Sequence, residues 1–295
     1  MLVLATLTDF SKKNNLMRPI RRILVPTDFS LTANNALIYA LDLAQAVEAE
    51  VFILHAFHIP SAAVTSAYPV GYYEAVSMDE LKKEADQRME KLKHDYLYAT
   101  QAPYECITQL GPAVDIIAHT AEEKNVDLIV MGTQKAEKVK AWLGSVTTDT
   151  VKSSRYPVLA VPHEAHFERP RTLLLATSLT QLADLHELDT LKTIAKEFEA
   201  TIDVLYVHTK ESELTREQAE TQEALDDYLL GVPHQFHFAP HEDVNEGIQQ
   251  YLDQCQAELL VMIPQHHSFL DSLLHSSRTK QMIFHTHKPL LAIRG

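Results

Sequence analysis

Cysteine and glycine are scarce in this chain, and long hydrophobic runs are missing from it. Its 295 residues include two cysteines, Cys106 and Cys255, and seven glycines. The cysteines lie far apart without the spacing of a metal site, so we expect neither a disulfide framework nor a zinc finger. No stretch approaches the roughly 18 apolar residues of a membrane-spanning helix, and the start of the chain lacks the basic segment of a signal peptide. These absences indicate a cytoplasmic protein with reduced thiols.

Positive charge is also in short supply. The chain has 26 Lys and Arg against 40 Asp and Glu, a formal net charge of -14. Nucleic acids and anionic membranes repel such a chain, so we do not expect it to bind either of them. Its hydrophobic content of 46% is ordinary for a globular protein, and its length is sufficient for two domains.

The segment after Asp127 carries the most informative pattern. The apolar run Leu128–Met131 predicts a strand buried on both faces, which Gly132 and Thr133 end. After a loop, Gly144–Ser145 predicts a helix start with Ser145 as its N-cap. The free N–H groups of a helix start attract anions, and open α/β sheets bind nucleotides after a parallel strand. The leading hypothesis is therefore a nucleotide site in this segment.

Strands and helices alternate along the whole first half. Apolar runs predict strands at 23–26, 51–57, 104–109 and 158–161, and apolar stripes predict helices at 33–47, 78–98 and 112–124. A long loop is expected at 58–77. Such alternation predicts a parallel sheet with helices on both of its faces.

The pattern of the first half then repeats in the second. The sequence RTLLLATSLT at 171–180 matches RRILVPTDFS at 21–30, and AELLVMIPQ at 257–265 matches VDLIVMGTQ at 126–134. The sequence separation between a segment and its match is smaller for the later segments than for the first ones. This indicates a deletion after the second strand of the second half. We predict an extension at 1–16 and two similar domains at 17–163 and 164–295, joined near Pro162–His166.

These motifs resemble those of the universal stress protein family. The similar segments are the first strand VPTDFS, the second strand LHAF, the fourth strand DLIVMGT, and a Gly-Ser helix followed by PVLAVP. The resemblance implies two tandem Rossmann-like domains of the adenine nucleotide alpha hydrolase-like type, each a five-stranded parallel sheet in the order 3-2-1-4-5. It also implies that many members bind ATP, and that domains pair through their last strands. A tandem chain would form that pair internally, and a homodimer of chains would remain possible.

Members that bind ATP share a pattern of Gly, two residues, Gly, nine residues, then Gly-Ser or Gly-Thr. When this pattern is matched to the present sequence, the first glycine is Gly132 and the final pair is Gly144–Ser145. Lys135 stands in place of the middle glycine, and the following loop is shorter than in the family. Lysine keeps a cation near the phosphates but adds a Cβ where glycine would allow close approach.

The resemblance extends the predicted site to other elements. Asp28 matches the family acid near the ribose and phosphates, Ala56 the position whose backbone faces adenine, and Val146 and Thr147 continue the helix start. The predicted residues for ATP, with or without Mg²⁺, are Thr27, Asp28, Ala56, Met131, Gly132, Lys135, Gly144, Ser145, Val146 and Thr147. The alternative is that Asp28 only caps a helix and Gly144–Ser145 is only a turn.

The second half departs further from the pattern. Ser178 replaces the acid, Ile263–Pro264 replaces Gly-Thr, and His275–Ser276 replaces Gly-Ser. Proline and isoleucine remove the glycine geometry, so we predict that this half does not bind ATP in the manner of the family. Its role would be structural or regulatory.

Histidine is concentrated in the second half, with twelve of the sixteen residues after position 162. His266, His267 and His275 form an alternative metal site, because zinc needs three or four converging ligands. Solvated loop histidines are the favoured interpretation. No catalytic residues are predicted. The function hypotheses are a nucleotide-binding sensor of the stress response, an interaction protein without a nucleotide, and at most a weak ATPase.

Overall fold

A computed structural model describes residues 19–58, 78–133, 145–180, 185–208, 214–263 and 288–293. The predicted extension at 1–16 and most of the predicted loop at 58–77 lie outside these ranges. Within them, no helix has both the length and the apolar character that crossing a membrane requires.

Strands and α-helices alternate through the described ranges. The strands are β1 (Arg22–Pro26), β2 (Glu50–Phe57), β3 (Tyr104–Leu110), β4 (Leu128–Thr133), β5 (Val158–Pro162), β6 (Thr172–Ala176), β7 (Thr201–His208), β8 (His234–Pro240), β9 (Leu259–Met262) and β10 (Leu290–Ala292). The helices are α1 (Leu31–Val47), α2 (Met78–Leu92), α3 (Ala113–Glu123), α4 (Ser145–Ser153), α5 (Asp189–Glu197), α6 (Arg216–Leu229) and α7 (Val244–Cys255).

Two predicted boundaries were wrong by two residues, and one predicted helix changes its type along its length. The fourth strand does not end before Gly132 but runs through Thr133, because its last residues still pair with β5. The first helix begins at Leu31, two residues early, because the Ser30 side chain caps it by accepting from the Ala33 N–H at 3.2 Å. The long second helix changes to a π-helical turn at Lys93–Leu97.

All ten strands form one sheet, in the order β3-β2-β1-β4-β5-β10-β9-β6-β7-β8. Each half contributes five parallel strands in the order that the resemblance implies. The halves meet at β5 and β10, which pair antiparallel with Leu291 opposite Leu159. Because this pair is antiparallel, the carboxyl ends of the strands in the two halves point to opposite edges of the sheet.

The core lies on both faces of the sheet, as predicted. Side chains alternate along β1: Ile23 and Val25 pack in one layer, and Leu24 packs in the other. The first layer is completed by helices α1, α2, α5 and α6, and the second by α3, α4 and α7. Alternation of side chains along a strand explains why such strands are apolar throughout.

Helix α1 also holds the segment that joins the halves. The Asn35 side chain donates to the carbonyls of Pro162 and Ala165, both at 3.0 Å. One turn later, the Tyr39 ring packs edge-on against Phe167 at 5.5 Å between ring centroids. The helix that follows β1 therefore contacts both the end of β5 and the connection to the second half.

Candidate functional site

A cavity of about 420 Å³ opens at the carboxyl ends of β1 and β4. Strand β1 pairs with β2 on one side and with β4 on the other. The connection after β1 and the connection after β4 therefore run toward opposite sides of the sheet. Open α/β sheets bind ligands at such a point, because the flanking loops separate and leave a crevice. The volume falls within the usual range of about 300–1,000 Å³ for small-molecule sites.

Eight of the residues predicted from the sequence line this cavity. They are Thr27, Asp28, Ala56, Met131, Gly132, Ser145, Val146 and Thr147. The remaining two predicted residues, Lys135 and Gly144, lie outside the described ranges. The structure thus brings together residues from the β1–α1 turn, β2, β4 and α4 that are far apart in the chain.

The sequence analysis did not assign seven further lining residues to the site. They are Pro26, Ser30, Thr32, Ala33, Leu54, Ala113 and Ile117. The first four belong to the end of β1 and the start of α1, and their position directly after a predicted strand was a usable signal. The last three reach the cavity from β2 and α3 through tertiary packing, which no local pattern reveals.

The lining combines apolar side chains with hydroxyl groups and one carboxylate. Leu54, Ala113, Ile117 and Met131 belong to β2, α3 and β4 and give an uncharged surface. The hydroxyl groups and the carboxylate lie on the β1–α1 turn and on α4. A site of this kind suits a ligand with a flat apolar part and an anionic part.

The turn between β1 and α1 is built by its own side chains. The Thr27 hydroxyl accepts from the Phe29 N–H, and the Asp28 carboxylate accepts from the Ser30 N–H, both at 2.9 Å. Phe29 has a left-handed φ of 64°, which is unfavourable for a residue with a side chain. Asp28 does not cap α1, since Ser30 does, so the alternative interpretation of Asp28 as a helix cap was wrong.

A buried histidine supports this turn from β2. The His55 Nδ1 lies 2.8 Å from the Thr27 carbonyl, so this nitrogen carries the proton. The imidazole packs 4.4 Å from the Phe29 ring, and the Arg88 guanidinium lies 4.5 Å from the same ring. Burial lowers the pKa of His55, Arg88 acts in the same direction, and the Thr27 carbonyl and Asp28 oppose them. The neutral imidazole is therefore the form that fits the folded state.

We expect His55 to make the protein less stable in acid. Its pKa is lower when folded than its ordinary value of about 6.5, so protonation favours the unfolded chain. The stabilisation is complete above about pH 6.5 and is lost as the pH falls through the folded pKa. Urea unfolding between pH 5 and 8 should show a shallower acid loss for His55→Gln than for the wild type. The control His94→Gln, with a side chain 87% exposed, should keep the wild-type slope; an unchanged slope in His55→Gln would contradict the assignment.

The start of α4 lines the cavity with Ser145, Val146 and Thr147. Ser145 is the first helical residue and not the N-cap that was predicted, because the helix begins one residue earlier than the cap assignment assumed. The Thr147 hydroxyl donates to the Gly132 carbonyl at 3.2 Å, which ties the helix to the end of β4. The first N–H groups of a helix have no partner within it and carry partial positive charge. This part of the cavity therefore favours an anion.

Gly132 has a packing role of its own. A Cβ on this residue would lie 2.4 Å from the Thr32 carbonyl oxygen and 3.0 Å from the Ala33 nitrogen. Backbone atoms of α1 cannot move aside as a flexible side chain can. The close approach of β4 and α1 thus requires glycine whether or not a ligand binds.

Metal ligands and thiolates are not evident in the described ranges. There, no group of three His, Cys, Asp or Glu side chains is placed to hold a metal ion. The alternative ligands His266, His267 and His275 lie outside these ranges. Cys106 and Cys255 are free, and burial raises the pKa of Cys106 to about 11, so its thiol is protonated at neutral pH.

The second half repeats the turn but not its chemistry. The Leu179 N–H donates to the Thr177 hydroxyl at 3.1 Å, and Leu179 has a left-handed φ of 54°. Ser178 supplies a hydroxyl in place of the Asp28 carboxylate and lies 2.8 Å from the Thr180 hydroxyl. The backbone of the turn therefore survives without its acid.

Comparison with known proteins agrees with this architecture. Residues 19–162 match the model of the universal stress protein family. A universal stress protein of Methanocaldococcus jannaschii is 31% identical over 153 residues, which are 48% of this chain and 94% of that protein. A second one from the same organism is also 31% identical, over 144 residues that are 48% of this chain and 81% of that protein.

A solved structure resembles nearly the whole chain. The universal stress protein from Archaeoglobus fulgidus superposes with a TM-score of 0.70 at 20% identity, covering 94% of this chain and 99% of that one. At this identity the likeness concerns the fold. It extends the architecture of the first half to the second, which the family model does not match.

Proposed function

This chain belongs to the universal stress protein family, and from that premise we propose that its first half binds an adenine nucleotide, with ATP as the leading candidate. The observation that carries the proposal is the cavity at the ends of β1 and β4. Eight residues predicted from the family pattern line it, and they come from four separate elements. Chance would not bring them to one crevice.

The chemistry of the lining suits the parts of a nucleotide. The apolar residues Leu54, Ala56 and Ile117 would pack against the base. The Asp28 carboxylate would accept hydrogen bonds from ribose hydroxyls or help to hold Mg²⁺. The N–H groups at the start of α4 would bind the phosphates, as helix starts do in other nucleotide-binding proteins.

The lining residues support binding of a nucleotide better than its hydrolysis. Among the described lining residues, Asp28 is the one carboxylate, and no histidine or cysteine accompanies it. General acid–base catalysis needs a group placed to move a proton at the reacting atom. The protein would thus act as a nucleotide-dependent sensor in the stress response, with hydrolysis slow at most. The second half would serve a structural or regulatory role.

Calorimetric titration of the full chain with Mg-ATP, ADP and adenosine tests the proposal. We expect one binding event per chain, with ATP tighter than adenosine because adenosine has no phosphate to reach the start of α4. If none of the three ligands binds at millimolar concentration, the proposal is rejected. The protein would then be an interaction module, as the substitution of Lys135 for the family glycine would favour.

A further inference from the structure

Arg88 on α2 contacts the turn that carries Asp28. Its Nη2 donates to the Asp28 carbonyl at 3.3 Å, and its guanidinium carbon lies 4.5 Å from the centroid of the Phe29 ring. The side chain therefore contacts two consecutive residues of the turn, one through the backbone and one through an aromatic ring. Arg88 is absent from the described residues that line the cavity, so within the described ranges it reaches the site only through this turn.

The turn has a conformation that needs support. Asp28 and Ser30 line the cavity, whereas Phe29 between them packs against the first core layer. The φ of 64° at Phe29 is unfavourable for a residue with a Cβ, and a change in this angle would redirect the Asp28 side chain relative to Ser30. Contacts that hold the Phe29 ring therefore also hold the direction of the Asp28 carboxylate. The His55 imidazole supplies one such contact from β2, and Arg88 supplies another from α2.

Helix α2 is itself fixed to the sheet close to Arg88. The Thr108 hydroxyl on β3 donates to the Asp86 carboxylate at 2.6 Å, and the Lys82 ammonium donates to the same carboxylate at 2.6 Å. Met89, the neighbour of Arg88, is 3% exposed and packs in the first core layer. The guanidinium therefore reaches the turn from a rigid element, as a group that positions a site must do.

The second half forms the same turn without an aromatic ring. Leu179 takes the place of Phe29, has a similar φ of 54° and is fully buried, so an aliphatic side chain in the core is sufficient to hold the backbone. Tyr206 takes the place of His55, and its hydroxyl accepts from the Gln218 side chain at 2.6 Å. Stacking of a guanidinium on a ring is therefore not required to form the turn. This indicates that the contact in the first half serves the acid beside the ring.

We propose that Arg88 is a positioning residue for the nucleotide site, because it holds the turn so that the Asp28 carboxylate stays directed into the cavity. This inference rests on the proposed function of the first half. The guanidinium acts through the turn and does not need to touch the nucleotide. Loss of Arg88 would therefore weaken the binding of adenosine, which has a ribose but no phosphate, as well as that of ATP. An arginine that acted by its charge alone would affect ATP only.

Hydrogen exchange without ligand tests whether Arg88 holds the turn. The Ser30 N–H donates to the Asp28 carboxylate at 2.9 Å, so its exchange rate reports how firmly this carboxylate is held. We expect the Ser30 amide to exchange at least about threefold faster in Arg88→Met, which keeps an unbranched side chain but loses the charge and the donors. The control Arg216→Met changes an arginine that is 92% exposed on α6 and should leave the rate unchanged. A wild-type rate in Arg88→Met would overturn the inference.

Titration with Mg-ATP and with adenosine tests the consequence for binding. We expect Arg88→Met to bind both ligands at least about threefold more weakly than the wild type, and Arg216→Met to bind them equally well. Arg88→Lys keeps the positive charge but lacks the planar guanidinium, so it should not restore the wild-type affinity. A loss for Mg-ATP alone, or full recovery in Arg88→Lys, would show that the charge acts directly on the phosphates and would overturn the inference.

The two experiments distinguish a failure of this inference from a failure of the proposed function. Wild-type affinity of Arg88→Met for both ligands would overturn the inference while the proposed function stood. A wild type that binds neither ligand would reject the proposed function. Faster exchange of the Ser30 amide in Arg88→Met would then still establish that Arg88 holds the turn.

Discussion

Val146→Asp is expected to abolish nucleotide binding without destabilising the protein. Val146 is 37% exposed, lies in the first turn of α4 and lines the cavity. A carboxylate here interacts favourably with the helix dipole, by about 0.3–1 kcal/mol, so Tm should stay level or rise slightly. The same charge would repel a phosphate about 4 Å away by roughly 4 kcal/mol at an effective dielectric constant near 20, which weakens binding at least about a hundredfold.

The uncharged variant Val146→Asn is the matched control. It has nearly the same size as the aspartate variant but carries no charge, so we expect it to keep most of the affinity for ATP. The loss in Val146→Asp should also shrink at high salt, because ions screen exposed charges. Equal losses in both variants would mean that the side-chain volume matters and that the phosphates do not lie at α4.

Gly132→Ala is expected to damage both the fold and the site. The new Cβ would meet the Thr32 carbonyl at 2.4 Å and the Thr32 carbonyl carbon at 2.6 Å, so the start of α1 must move away from β4. Overpacking of this kind costs about 1–3 kcal/mol, and the shift would displace lining residues of the cavity. We expect Tm to fall by about 3 °C or more and ATP affinity to fall at least about tenfold.

Gly231→Ala is the control for a loss of stability without a clash at the site. Gly231 has a left-handed φ of 84°, but nothing lies within 4 Å of its missing Cβ. An alanine there should cost about 1–2 kcal/mol of stability through backbone strain and leave nucleotide binding unchanged. Normal affinity in Gly132→Ala would show that the close approach of β4 and α1 does not shape the site.

The alternating strands and helices could be predicted because each leaves a local signal. Leu128–Met131 is apolar on both faces, as a strand covered by two helix layers must be. Boundaries were less accurate where side-chain capping decides them. The start of α1 depends on the hydrogen bond to its cap at Ser30, which a hydrophobic pattern does not record.

The pairing of the halves required knowledge beyond local patterns. Strand β10 is the apolar run Leu290–Ala292, and such a run looks the same whether it pairs parallel with β9 or antiparallel with β5. It does both. The resemblance to a family implied this arrangement, whereas the residues alone did not distinguish it from two separate sheets.

The candidate site could also be predicted only in part from the sequence. Gly132 and Ser145 could be assigned from a strand end and a helix start, because such positions converge at one edge of a parallel sheet. Asp28 was assigned through the resemblance to the family. Ala113 and Ile117 could not be assigned, since they reach the cavity only through the packing of α3 against the sheet.

The central claim is that one adenine nucleotide binds in the first half, and its most direct test is retention of the nucleotide. The full chain is incubated with excess Mg-ATP, freed of unbound nucleotide by rapid gel filtration, and denatured, and the supernatant is quantified by anion exchange. We predict close to one ATP or ADP per chain, and almost none for Val146→Asp. A wild type that retains no more nucleotide than that variant would contradict the claim.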